Sequence, residues 1–131
     1  MVAVELAGSG RALLAAAGGT SEGLATHRTL LRYDNGYIVV YSVPLLLGAS
    51  LLDPPWRAAV VALGVAAAAA DYTENAALDR ALRTLQTLGL QPAHADRPAL
   101  LARRAAVLKF GALGPTSMLS LAGAVRAVSR G

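Results

Sequence analysis

The sequence predicts an all-α fold, an integral membrane bundle of three transmembrane helices preceded by an N-terminal interfacial helix. Two observations of composition and one of pattern carry this. Of 131 residues, 55% are hydrophobic and only 15% are charged, with a mean hydropathy of +0.49, whereas a soluble domain carries about 25% charged residues. The apolar residues are mostly Ala, Leu and Val with six aromatics, a set that suits closely packed helices better than a β-sandwich. Long segments free of breakers alternate with short Gly- and Pro-rich joints. The length fits one membrane domain over residues 1–131, and the apolar content excludes bulk disorder.

Residues 1–21 read as an interfacial segment. The apolar run from Val2 to Ala17 is broken by Glu5, Gly8, Gly10 and Arg11, so it suits the membrane surface better than a span. Lacking a basic start, it does not read as a cleaved signal peptide. Gly18 to Ser21 form a joint with capping residues, and a helix over 22–52 follows. Its portion from Asn35 to Leu52 has no formal charge and approaches the ~20 residues that a bilayer requires. Pro44 lies inside this first span, where neighbouring helices can satisfy the freed carbonyl.

Asp53, Pro54 and Pro55 force a turn, with Trp56 as an interfacial aromatic anchor. The second helix, over 55–88, meets no breaker before Gly89. At 1.5 Å per residue it runs about 51 Å, so its last part projects into water. After the loop from Gly89 to Pro98, a third helix covers 99–128 and bends at Gly114 and Pro115.

The net charge of +4 and pI near 10.1 do not point to nucleic acid, because the arginines flank apolar runs and form no stripe interleaved with aromatics. Arg11, Arg28, Arg32, Arg80, Arg83, Arg97, Arg103 and Arg104 fall on one side of the spans, and Arg57, Arg126 and Arg130 on the other. The positive-inside rule makes the first side cytoplasmic. The expectation is a protein of the cytoplasmic (inner) membrane with its N-terminus in the cytoplasm.

Depth along the helices locates the candidate site. Measured from Pro55, Asp71 lies about 24 Å and Glu74 about 28 Å along the second helix; Asp34 lies about 27 Å from Leu52, and Lys109 about 26 Å from Arg126. Asp34, Asn35, Asp71, Glu74, Asn75 and Lys109 therefore share one layer at the cytoplasmic edge of the hydrocarbon, with Tyr37 and Tyr41 just above. Asp71, Glu74, Asn75 and Leu78 follow i, i+3, i+4, i+7 spacing and share one helix face. Ionisable groups at such depth face the bundle and pair, so Lys109 should pair with Glu74 or Asp71, with Glu74 favoured for its reach.

A buried Lys–carboxylate pair can lock helices in register without catalysing anything. Asp71, Glu74 and Lys109 are equally candidate catalytic residues, as an acid and base on a lipid-like substrate or as a Mg²⁺ holder for a diphosphate; a proton or ion path is a third option. No resident cofactor or metal is predicted. There is no cysteine, and His27 and His94 lack ligand spacing and read as solvated. Gly64, Ala68, Gly111, Gly114 and Gly123 suit close helix contact.

The stretches DYTENAAL (Asp71 to Leu78) and ARRAAVLKFGAL (Ala102 to Leu113) resemble a pattern in small uncharacterised bacterial multi-span membrane proteins. Those proteins pair an aromatic-rich first span with a D-x-x-E-N helix and a later helix carrying Lys before an aromatic. The resemblance covers about residues 28–113 and implies a multi-helix membrane fold with a buried acidic and basic cluster. The leading expectation is an assembly-type subunit or scaffold whose partners are membrane lipid and either a second copy or another membrane protein. The alternative is a membrane-embedded enzyme on a lipid or isoprenoid substrate.

Overall fold

Helix starts and stops follow the local chemistry of the chain. The computed structural model describes residues 2–129 and contains α1 (Val2–Glu5), α2 (Gly10–Ala16), α3 (Ser21–Ser50), α4 (Pro54–Thr87), a 3₁₀ turn (Pro92–Ala95) and α5 (Asp96–Val128). Among the described residues there is no strand. Thr20 caps α3 by accepting from the Gly23 N–H at 3.1 Å, and Pro54 occupies the first position of α4, where its missing donor costs nothing. At the other end of α4, Gly89 adopts a left-handed φ of +66°. The Leu90 N–H then reaches back to the Leu85 carbonyl at 2.8 Å, closing a Schellman-type cap.

Packing divides the molecule into two storeys. On α4 the buried residues Ala67, Asp71, Glu74, Leu78, Ala81 and Leu85 recur at alternating spacings of four and three, the seam of a helix that packs along its whole length. Ala99, Ala102, Ala106 and Lys109 continue the same rhythm on α5, and their small side chains bring α4 and α5 close. In the lower storey Leu24 and Leu31 of α3 join Leu78, Leu82 and Leu85 in a core with Ala95, Ala99 and Ala102. In the upper storey the same helices turn outward Val39, Val40, Val43, Leu46, Leu47, Val65, Met118, Leu121 and Val125, all exposed.

The N-terminal segment departs from expectation. In place of one helix lying on a membrane there are two short ones, and Val4, Leu13 and Ala17 are buried in the lower core. Their apolar surface is used inside the protein, so it is not free to enter a bilayer interface. The Asp96 carboxylate holds the segment by accepting from the Gly10 N–H at 2.8 Å.

One helical stretch, Pro92–Val128, is long and apolar enough to cross a membrane by length and composition. Three were expected. Within its helical bounds α3 carries Glu22, Arg28, Arg32 and Asp34 in its first half, and α4 carries Arg57 near its start and five charged residues from Asp71 to Arg83; the uncharged run from Asn35 to Leu52 outlasts α3, which stops at Ser50.

The small residues also divide. Gly123 faces Leu52, and Gly48 lies where a Cβ would come within 2.7 Å of the Ser120 Cβ, marking the α3–α5 crossing. Gly64, Gly111 and Gly114 face open space, so the contact role expected of them is not met within the chain.

Candidate functional site

Helix α4 supplies the floor of the site. Its seam places Asp71, Glu74 and Asn75 one turn apart, and they are 3%, 0% and 4% exposed. Helix α5 brings Lys109, itself buried, into the same layer. The Lys109 ammonium lies 2.7 Å from Glu74 Oε2 and 3.1 Å from Asp71 Oδ1, so it bridges both carboxylates. Helix α3 completes the layer. The Tyr41 hydroxyl donates to Asp71 Oδ2 at 2.7 Å, and the Asn75 amide donates to Asp34 Oδ2 and Asn35 Oδ1, both at 3.0 Å. Seven of the eight residues singled out in the sequence thus meet across three helices. Tyr37 does not; it is 65% exposed on the outer surface.

A third carboxylate arrives from a place the sequence reading did not consider. Glu5 at the end of α1 is buried and lies 3.9 Å from the Lys109 ammonium. Its signal was present as one isolated charge in the apolar run VAVELA, which fits a side chain aimed inward. Three buried carboxylates therefore surround one ammonium, and the Phe110 ring lies 4.9 Å from the same Nζ. Glu74 Oε1 has no hydrogen-bond partner among the described residues. Glu74 Oε2 is held by the Lys109 ammonium as a buried ion pair.

Asn35 and Asn75 line a cleft of about 280 Å³ between α3 and α4, whereas Asp71, Glu74 and Lys109 line neither it nor four other clefts among the described residues. An enzyme site needs a cleft of a few hundred Å³ at its reacting groups. No group of three or more His, Cys, Asp or Glu suited to a metal occurs among the described residues.

A second polar group lies one storey down. Asp79 accepts from Arg28 at 2.9 Å and from Arg83 at 2.7 Å, and Arg28 also donates to Gln86 Oε1 at 2.9 Å, tying α3 to α4. Partial burial acts to raise the Asp79 carboxyl, but the two guanidiniums outweigh it and hold the group below its ordinary value. His27 turns back onto the Gly23 carbonyl at 2.9 Å, and His94 lines an outer cleft beside Arg80 and Arg97.

No protein-family model, curated protein or solved structure matches the chain.

Proposed function

We propose that the chain is a small three-span membrane protein that serves as an assembly-type subunit, its helices tied together by the Lys109 cluster. The observation that carries this reading is the sealing of the cluster. Its ammonium and carboxylates are shut away from every cavity described above, while the outer faces of the same helices are aliphatic from Val39 to Leu47 and from Met118 to Val125. In water so broad an apolar surface would be an aggregation hazard; in hydrocarbon it is the ordinary exterior of a span. The excess of arginine at the end that carries the N-terminal helices and the loop after α4 supports a cytoplasmic position for that end in a bacterial inner membrane.

Assembly is the natural use of a shallow cavity of about 230 Å³ between α3 and α4, lined by Leu45, Leu46, Val60, Gly64 and Ala68. Gly64, which meets nothing within the chain, and Ala68, one turn further on, suit close approach by another helix. That helix belongs to a second copy or to a partner subunit. The membrane-enzyme reading keeps one observation in its favour, the unpartnered Glu74 Oε1.

The test uses the cysteine-free sequence. Gly64→Cys in native membranes, treated with an oxidant, should give a disulfide-linked species larger than the monomer, whereas Val128→Cys should not. A Gly64→Cys chain that remains monomeric in the membrane would contradict the assembly reading. Turnover of a lipid substrate lost in Glu74→Gln would favour the enzyme.

A further inference from the structure

Beyond the sealed cluster, the cytoplasmic end carries a cleft of about 370 Å³ between α4 and the start of α5, lined by Arg80, His94, Arg97 and Thr84, whose hydroxyl donates to the Arg80 carbonyl at 2.8 Å. No acidic side chain lines it. This sets it apart from the neighbouring cleft on the other side of α4, which holds a carboxylate, Asp79, paired with Arg28 and Arg83. Among the described residues Arg80 and Arg97 make no ion pair, and Asp96, next in sequence to Arg97, is occupied with the Gly10 N–H. Two guanidiniums in one concave site without a carboxylate have the donor geometry for the oxygens of a phosphate.

The surroundings specify more than an anion. Arg97, Leu101, Arg104 and Leu108 recur at spacings of four, three and four and so share one face of α5. Leu101 and Leu108 are 51% and 68% exposed, so the cleft continues toward the upper storey along a strip in which these two leucines flank one further guanidinium, that of Arg104. From Arg57 to Arg80 the helix runs about 35 Å, which places Arg80 at the headgroup layer beyond a ~30 Å hydrocarbon core. A ligand with a phosphate at one end and an acyl chain at the other satisfies both features; a free phosphate satisfies only the first. We infer that the cleft of Arg80, His94 and Arg97 binds the phosphate of an anionic phospholipid, with one acyl chain laid along Leu101 and Leu108.

This inference rests on the membrane reading above, so its test separates the two. The whole chain is reconstituted in phosphatidylcholine vesicles, washed in alkaline carbonate, then exposed to phosphatidylglycerol, with retained lipid counted by native mass spectrometry. Wild type should stay in the vesicles and retain phosphatidylglycerol over phosphatidylcholine. The double variant Arg80→Gln/Arg97→Gln should stay equally well but lose the preference by about tenfold or more, the loss expected for two charge-assisted contacts. Arg126→Gln, at the opposite end, should behave as wild type. Equal retention of phosphatidylglycerol by the double variant would overturn the inference alone. Displacement of the lipid by millimolar inorganic phosphate would overturn the choice of a lipid over a free anion. Release of wild type by carbonate would overturn the membrane reading and this inference with it.

Discussion

Removing the Lys109 ammonium would strand Asp71 and Glu74 as buried carboxylates, with Glu5 close behind. Breaking a buried pair from one side typically costs about 3 to 5 kcal/mol, because the remaining charge stays desolvated, whereas removing both sides costs far less. Lys109→Met should therefore destabilise the protein in detergent by that amount, and Lys109→Met with Glu74→Gln should recover part of the loss. Since the ammonium bridges two carboxylates, the cycle with Asp71→Asn should be non-additive as well. Additive effects at both positions would mean that Lys109 lies alone at the interface. A second prediction concerns Asn75, whose one amide nitrogen serves Asp34 and Asn35. Asn75→Leu leaves those acceptors without their donor and should cost about 1 to 3 kcal/mol in the same assay.

Contacts between elements depend on where side chains are missing as much as on where they are present. At Gly48 a Cβ would press on Ser120 with no flexible atom to yield, so Gly48→Ala should destabilise by about 1 to 3 kcal/mol. Gly64→Ala meets nothing within the chain and gains helix propensity of up to ~1 kcal/mol. Equal thermal shifts for the two would contradict the α3–α5 crossing described here. The Arg28–Asp79–Arg83 tie between α3 and α4 predicts a pH dependence with a definite sign. Because the Asp79 carboxyl is held below its ordinary value of 3.8, the unfolded chain binds the proton more readily. The tie contributes its full stability above that value and loses it as pH falls through the lower folded one. Asp79→Asn should flatten the acid limb of a stability–pH profile, and an unchanged limb would contradict the tie.

The long helices were legible because their limits are set by local chemistry, Thr20 and Ser21 at one start, Pro54 and Pro55 at another, Gly89 at a stop. The polar layer was legible because helical rise converts sequence position into depth. The role of the N-terminal segment was not, since Val4 and Leu13 look alike whether they face lipid or a protein core; only the position of Glu5 beside Lys109 decides between them. The small residues at Gly64 and Gly111 were legible only in part for a related reason: a glycine permits close approach but does not say whether its neighbour lies within the chain.

At the scale of the whole molecule, a dense lower storey with arginines around it and an upper storey clothed in aliphatic side chains suit the proposal of a protein that stands partly in water and partly in hydrocarbon. On that proposal, three crossings put the loop after α4 and the end of α5 on opposite sides. The most direct measurement uses the absence of cysteine: single variants Gln91→Cys and Ser129→Cys, each probed with a membrane-impermeant maleimide on intact spheroplasts and on inverted vesicles. Both sites are exposed. Ser129→Cys should label only from outside and Gln91→Cys only from the cytoplasmic face. Labelling of both from the same side, or of both from either side, would contradict a three-span bundle.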